Sequence, residues 1–261
     1  MKKAFLLCLL PLLGMHSELS AQSKLNMRGV YTMLRQHQIE GSKDSLLKRE
    51  QIKFYTGKYM LWAAPKPNDS LAEYGLGTYS VAGDTVVEYV FHTSIAGDQK
   101  DTFSLAIVPK PDGYTQKIEF NFDPRRKFIL SEDYKKVGTK QVSPLDGLWK
   151  MDRRLAIENG DTTVDEHIQY KIYQNGYFTW VNTYTDPASA DTLSSFGYGT
   201  FTMNGRNRIR ELNINSTFAT ELIGRTVELE IRQPSKDRYI QTLTNSQGIK
   251  FIEYYTRMNL P

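Results

Sequence analysis

One ten-residue stretch occurs twice in this chain, as KFYTGKYMLW at 53–62 and KIYQNGYFTW at 171–180, separated by 118 positions. Ten identities fall at that spacing in one ungapped window. After a four-residue insertion in the second copy, GLGTYSVAG at 75–83 aligns with GYGTFTMNG at 197–205. The repeat predicts two tandem copies of one domain, and its length excludes solenoid units of about 20 to 50 residues.

The repeat also sets the predicted domain boundaries. The first copy is expected at 24–135 and the second at 145–261, with a connector at 136–144 that contains the Gly, Ser and Pro typical of linkers. Residues 1–21 precede the first copy and read as a signal peptide, because a basic start is followed by about ten apolar residues and a polar stretch. We expect cleavage after Ala21 and a periplasmic or secreted protein.

The apolar run near the N-terminus is too short for a membrane-spanning helix, which needs about 20 residues. No second stretch approaches that length, so the sequence predicts no transmembrane segment. Cys8 lies inside this run without the small preceding residue that lipoprotein processing favours, and we expect no lipid anchor. Cys8 is also the only cysteine, so the exported protein has no disulfide.

The charge of the exported chain excludes one class of partner. The whole chain has 33 basic and 29 acidic residues, and loss of Lys2, Lys3 and Glu18 leaves a net charge of +3 spread without a basic block. Nucleic-acid binding needs a concentrated basic surface. The sequence therefore predicts no nucleic-acid partner.

Hydrophobic alternation predicts an all-β fold. TVELEIR at 226–232 places apolar and charged residues on opposite faces, as in a half-buried antiparallel strand. Turn residues separate eight such runs in the second copy, with the same eight in the first. The predicted strands lie near 147–155, 166–174, 176–184, 196–203, 207–216, 225–232, 238–244 and 249–257. An eight-stranded antiparallel up-and-down barrel would remove both sheet edges. A pair of sandwiches is the alternative.

The first strand of the second copy carries a family signature. Gly147-Leu148-Trp149 resembles the Gly-x-Trp of lipocalin and wider calycin barrels. The resemblance implies that an arginine of the last strand, Arg257, stacks over Trp149 and closes one barrel end. In the first copy Tyr31 replaces the tryptophan, and Lys135 or Lys136 stands in place of the arginine. The whole chain is similar to tandem lipocalin-like secreted proteins of unknown function found in Bacteroidetes.

The repeated ten-residue stretch is interpreted as a hairpin. Gly176, and Gly57 one position earlier in its own copy, are expected to take the positive φ of a tight turn. The repeated aromatic residues are large amphipathic rings, predicted to point inside their barrel. They serve either core packing or ligand contact, and they are Tyr59, Trp62, Tyr177 and Trp180.

Arg35 and Arg153 are duplicated charges close to the Gly-x-aromatic signature. Arginine on a strand is ordinarily a surface residue. The sharper hypothesis places one or both near a barrel end, where the guanidinium could receive the carboxylate of a ligand.

No motif predicts catalysis, a metal or a cofactor. His37, His92 and His167 have no matching histidine in the other copy, and HExxH spacing is absent from the sequence. A Gly-x-Ser-x-Gly elbow is also absent, and the Gly-x-Gly segments lack the third glycine of a dinucleotide site. They are interpreted as strand bends.

Five short segments resemble the Asp-Ser/Thr-apolar acceptor of Bacteroidetes O-glycosylation, although Asp, Ser and Thr also favour turns. They begin at Asp44, Asp69, Asp84, Asp161 and Asp191. O-glycans at these sites are therefore a hypothesis.

Two functions remain open from the sequence. The first is a non-enzymatic carrier in which one or both barrels hold a small apolar or amphipathic molecule. The second is an envelope structural or interaction protein whose barrels are filled with side chains. Interior volume separates them, since a carrier needs a cavity and a scaffold does not.

Overall fold

The computed structural model describes residues 25–67, 71–94, 100–123, 126–165, 167–186 and 188–259. The predicted signal peptide at 1–21, including Cys8, lies outside the described residues, as do Asp69 and Ser70 of one predicted glycan acceptor.

Each half of the chain forms its own antiparallel sheet, and among the described residues no strand is shared between the two sheets. The strands of the first sheet are β1 (Gly29–Glu40), β2 (Lys43–Leu47), β3 (Ile52–Tyr55), β4 (Tyr59–Pro65), β5 (Ala72–Ala82), β6 (Thr85–Thr93), β7 (Asp101–Lys110), β8 (Gly113–Asp123) and β9 (Arg126–Val137).

The second sheet repeats this order. Its strands are β10 (Gly147–Glu158), β11 (Asp161–Asp165), β12 (Ile168–Gln174), β13 (Tyr177–Thr185), β14 (Thr192–Asn204), β15 (Arg208–Ser216), β16 (Thr226–Ser235), β17 (Arg238–Thr244) and β18 (Lys250–Arg257). A short 3₁₀ turn, Thr220–Leu222, lies between β15 and β16.

Both sheets close into barrels because the first strand pairs with the last. β1 pairs with β9 and β10 pairs with β18, while every other strand pairs with its neighbour in sequence. β2 and β3 pair with successive halves of β1 and so form one broken strand, as do β11 and β12 beside β10. Each barrel is therefore eight-stranded. The prediction of two tandem up-and-down barrels is confirmed, and the sandwich alternative is wrong.

Two details of the strand prediction are corrected. β2 and β11 were not predicted, because their five residues alternate too briefly to give a signal. The 174–177 turn has the expected geometry, with Asn175 at φ 53° and Gly176 at φ 79°. Gly57 lies in a longer connection between β3 and β4 and does not take a positive φ, so that expectation is wrong.

The interior of each barrel holds one apolar cluster near the end where its first strand begins. In the second barrel this cluster contains Trp149 and Leu145, which are both fully buried. The Trp149 indole Nε1 donates a hydrogen bond to the Leu145 carbonyl over 2.7 Å. Leu145 comes from the connector between the sheets, residues 138–146, so the connector seals this end of the second barrel.

A third apolar cluster lies between the barrels. The outer faces of β3, β4 and β5 pack against the outer faces of β12, β13 and β14, with equivalent positions of the two copies on both sides. Ser194 Oγ donates to the Ala72 carbonyl across this interface over 2.5 Å. Its apolar side chains are fully or nearly fully buried and include Ile52, Phe54, Leu61, Ala63, Tyr74, Leu148, Tyr170, Ile172, Val181 and Phe196. Each half of the chain therefore buries part of its apolar surface against the other half.

Close approach of a neighbouring residue explains why both positions of each duplicated Gly-x-Gly segment are glycine. Gly197 on β14 is paired with Trp180 on β13, and the Trp180 ring lies over it. A Cβ at Gly197 would therefore lie 2.5 Å from that ring. A Cβ at Gly199 would lie 1.9 Å from the Leu212 carbonyl oxygen at a β-bulge. Gly75 and Gly77 repeat both relationships in the first barrel. A glycine is required at each position by close approach of a neighbour.

A search of the described residues finds no helix with the length and apolar character needed to cross a membrane.

Candidate ligand site in the second barrel

The same polar cluster crosses the interior of both barrels. In the second barrel Lys171 Nζ lies 2.8 Å from Glu211 Oε1 and donates to Gln241 Oε1 over 3.2 Å. Gln241 in turn donates to Glu253 over 2.9 Å. All four side chains are nearly fully buried. Their counterparts in the first barrel are Lys53, Glu88, Gln116 and Glu132, with Lys53 Nζ 2.7 Å from Glu88 Oε1.

Buried tyrosines complete each cluster. Tyr173 donates to Glu211 over 2.7 Å and Tyr255 donates to Glu253 over 2.8 Å. Burial, followed by the nearby glutamates, raises the pKa of both hydroxyls well above the ordinary value of 10.0. The phenols therefore stay neutral, and they donate the hydrogen bonds that keep these carboxylates satisfied in a low-dielectric interior.

A cavity of about 170 Å³ lies directly above this cluster in the second barrel. Lys171, Glu211, Gln241 and Glu253 form its floor. Its walls combine apolar and aromatic side chains with the polar side chains of Arg154, Gln169, Asn182 and Asn213, and the segment after β15 also lines it. The other lining residues include Trp180, Phe218, Leu222, Val227, Leu229 and Leu243. The cavity thus opens at the end of the barrel opposite to Trp149.

Two polar atoms of the cavity wall have no hydrogen-bond partner among the described residues. Arg154 Nε is one of them, and it lies 3.5 Å from Glu253 Oε1 without a hydrogen bond. Asn182 Oδ1 is the other. Buried polar atoms are nearly always paired, so this part of the lining would be completed by a water molecule or by a polar group of a ligand. The Arg154 guanidinium also contacts the Phe251 ring, 4.1 Å from its centroid, and donates to Asp165 over 3.1 Å.

The first barrel differs at the positions that make this wall polar. Strand register aligns Arg154, Asn182 and Asn213 of the second barrel with Gln36, Ala64 and Val90 of the first. Gln36 is nearly fully buried and donates to Glu132, so it is a member of the first polar cluster. The two barrels therefore share the charged floor but differ in the wall above it.

The structure places the four repeated aromatic residues on opposite faces. Trp62 and Trp180 point inside, packed against the interior clusters, and Trp180 lines the cavity. Tyr59 and Tyr177 instead belong to the cluster between the barrels. The expectation that these tyrosines point inside is not met, because strand alternation turns residues 59 and 62 to opposite faces. Ligand contact by the four residues stays a prediction.

Arg35 and Arg153 lie outside their barrels. Arg35 is paired with Asp133, and hydrogen bonds from Lys110, Thr115 and Arg35 hold the pKa of that carboxyl well below its ordinary range, although burial alone would raise it. Arg153 stacks over Tyr254, 4.5 Å from the ring centroid. A β-bulge in each first strand explains the placement, since it shifts the alternation by one residue. Arg154, the next residue, faces the cavity instead.

The residues implied for barrel closure are Trp149 and Arg257 in the second barrel and Tyr31 in the first. They lie at the end of each barrel where its first strand begins. The Arg257 guanidinium carbon lies 4.0 Å from the Trp149 ring centroid. Of the two lysines of the first copy, Lys136 lies over Tyr31, at 5.7 Å from its centroid. Burial, with a smaller contribution from Tyr79, raises the pKa of the Tyr31 hydroxyl to about 12.

The histidines are dispersed. His37 lies 2.8 Å from Asp44 and His167 lies 3.1 Å from Asp165, while His92 is buried at the interface between the barrels beside Tyr74. Over the part of the chain that the structure describes, no group of three or more His, Cys, Asp or Glu side chains could hold a metal ion.

Comparison with known proteins shows no family. No family model matches the chain, and no curated protein matches it. Among solved structures it is similar to a protein of unknown function from the DUF3598 family of Nostoc punctiforme, with 10% identity, coverage of 89% of this chain and 96% of the other, and a TM-score of 0.27. A "putative outer membrane protein" of Bacteroides fragilis gives 9% identity, coverage of 89% and 97%, and a TM-score of 0.25. We draw no conclusion about function from TM-scores this low.

Proposed function

We propose that this protein is an exported, non-enzymatic binding protein, and that its second barrel holds a small amphipathic molecule or the terminal group of a larger one. The observation that carries the proposal is the cavity above Lys171, which Arg154 and Asn182 line and where neither Arg154 Nε nor Asn182 Oδ1 has a hydrogen bond to any described residue.

The cavity limits the size of the ligand. A cavity of about 150 Å³ accommodates one benzene molecule, so the volume of about 170 Å³ suits a group of similar size. Anything larger would pass the segment at 217–222, where Phe218 is 68% exposed. The apolar part of the ligand would pack on Trp180 and Leu243, which both line the cavity.

The polar part of the ligand should offer both an acceptor and a donor. The Arg154 guanidinium can only donate and Asn182 Oδ1 can only accept. Lys171 and Arg154 supply two cations beside the two carboxylates of Glu211 and Glu253. Because these charges balance, the site does not select a strongly charged ligand. A primary amide, a protonated carboxylic acid or a hydroxylated ring would satisfy both atoms.

A structural or interaction protein is the second candidate, and a specific observation favours it. The interior of the first barrel contains the same charged cluster and a core of fully or nearly fully buried side chains, and the two barrels join through an extensive apolar interface. In this alternative the cavity of the second barrel would hold only water.

The location and modification of the protein are part of the proposal. Export rests on the sequence pattern at 1–21, and the barrel signature supports a lipocalin-like relationship. O-glycans are proposed at the acceptor segments that begin at Asp44, Asp84, Asp161 and Asp191, where each Asp is exposed or beside a turn. An intact mass equal to that of the bare exported chain would remove the glycan proposal.

Native mass spectrometry of the protein purified from its source cell tests the binding function. The matched control is the triple variant R154Q/N182A/N213V, which gives the second barrel the residues that the first already accommodates. The proposal predicts a small-molecule adduct on the wild type that is lost from the folded variant. A bare wild-type mass, or an adduct unaffected by the three substitutions, would favour the structural alternative.

A further inference from the structure

A second cavity, of about 710 Å³, lies at the end of the first barrel where β1 begins. The corresponding end of the second barrel is closed by Trp149 and Arg257. Its lining includes Leu25, Tyr31, Val81, Pro109 and Lys136 in the first barrel. Its volume falls within the range of about 300 to 1,000 Å³ that small-molecule sites occupy.

The two barrels close this end differently. In the second barrel the Arg257 guanidinium donates to the carbonyls of Lys236, Asp146 and Pro144 over 2.9, 2.6 and 2.7 Å while it covers Trp149. A planar guanidinium can bridge several acceptors in this way, whereas an ammonium acts as a compact point charge. In the first barrel Lys136 Nζ donates to the Arg28 carbonyl over 3.1 Å and covers the smaller ring of Tyr31.

The cavity lining combines apolar rings with an accessible cation. Tyr31 and Tyr114 pack edge to face beneath it, with centroids 4.9 Å apart and only 3% and 2% exposure, and the Met27 carbonyl accepts a hydrogen bond from the Tyr31 hydroxyl over 3.0 Å. Lys110 Nζ lies 2.6 Å from Asp133, so its charge is compensated. Lys136 is exposed, and an ammonium has three donors, so it can bind an anion while it keeps its bond to the Arg28 carbonyl.

We propose that this cavity is a second binding site, for an amphipathic anion whose apolar part lies against Leu25, Val81 and Pro109 and whose acidic group pairs with Lys136. The site is independent of the cavity in the second barrel, since the two share no residue. Asp84 also lines the site, and an anionic ligand must therefore place its charge toward Lys136 rather than toward that carboxylate.

Calorimetric titration of the full chain with laurate tests the proposal, with lauryl alcohol as the uncharged control ligand. Lys136→Met should weaken laurate binding at least about tenfold, because a hydrogen bond to a charged group contributes about 1.5 to 3 kcal/mol. The affinity for lauryl alcohol should change little. The double variant Y31W/K136R copies the closure of the second barrel and should abolish binding of both ligands.

The variant R154Q/N182A/N213V is the matched control, and its laurate affinity at this site should equal that of the wild type. If Lys136→Met binds laurate as tightly as the wild type, or if the wild type binds no laurate, the proposal is wrong. Loss of laurate binding in the triple variant alone would also overturn it and would assign the anion to the second barrel. Circular dichroism confirms folding, and Lys136→Met remains decisive if Y31W/K136R does not fold.

Discussion

Removal of the Lys171 ammonium should destabilise the second barrel strongly. Lys171 and Glu211 have side chains that are only 2% and 8% exposed, and their charged atoms lie 2.8 Å apart. Lys171→Met keeps most of the side-chain volume but leaves Glu211 buried with Tyr173 as its remaining hydrogen-bond donor among the described contacts. The perturbation is therefore an uncompensated buried carboxylate rather than a cavity.

Breaking a buried ion pair by removing one partner costs about 3 to 5 kcal/mol, whereas replacing both partners by apolar residues is often neutral. We therefore expect Lys171→Met to lower the free energy of unfolding by about 3 to 5 kcal/mol. The double variant K171M/E211M should recover most of that loss. The difference between the two variants isolates the cost of the unpaired carboxylate from the cost of changed packing.

Equilibrium urea unfolding, followed by tryptophan fluorescence and by circular dichroism, measures both quantities. Lys150→Met is the matched control because Lys150 is exposed on β10, and its unfolding free energy should equal that of the wild type within error. A loss below about 1 kcal/mol for Lys171→Met, or a double variant no more stable than the single one, would refute the assignment of a buried ion pair.

Three further predictions follow from other parts of the structure. Burial, and the glutamates near them, hold the pKa of Tyr55, Tyr134, Tyr173 and Tyr255 well above 10.0, so the neutral phenols stabilise the fold fully below pH 10 and that contribution is lost as the pH rises above it. The last part of the tyrosinate absorbance, from these buried rings, should therefore appear together with loss of the circular dichroism signal, and ionisation of all sixteen tyrosines while the barrels stay folded would contradict this. Ile172→Ala should lower the unfolding free energy by about 2 to 5 kcal/mol because Ile172 is fully buried between the barrels. Ile168→Ala, at a 43% exposed position of the same strand, should cost much less, and equal losses would argue against the interface. Gly197→Ala should displace the Trp180 ring, since the new Cβ would lie 2.5 Å from it, and an unchanged tryptophan emission spectrum would contradict that packing.

The barrels could be predicted from the sequence because several of the long strands alternate between apolar and polar residues and turn residues separate them. β16 is the clearest example, with Val227, Leu229 and Ile231 on one face. The short strands β2 and β11 could not be predicted in this way, because they pair with only five residues of an already formed strand. The closure of each barrel followed from the need to remove exposed sheet edges.

The candidate site was harder to predict, for two physical reasons. Strict alternation from Trp149 and Met151 would turn Arg153 inside, and the bulge after Met151 turns Arg154 inside instead. The sequence gives no clear sign of such a bulge. The faces of β4 and β13 were also ambiguous, since burial between the barrels makes their outer sides as apolar as their inner sides. A comparison of the two copies at Arg154, Asn182 and Asn213 would have indicated where the second barrel diverges.

Binding of a small molecule in the cavity above Lys171 is the proposal on which the function depends. A crystal structure of the protein purified from its source cell, without any extraction of bound molecules, would test it. We expect electron density for one small molecule in contact with Trp180, with hydrogen bonds to Arg154 Nε and Asn182 Oδ1. A cavity that contains only ordered water, or that is filled by rearranged side chains, would rule it out.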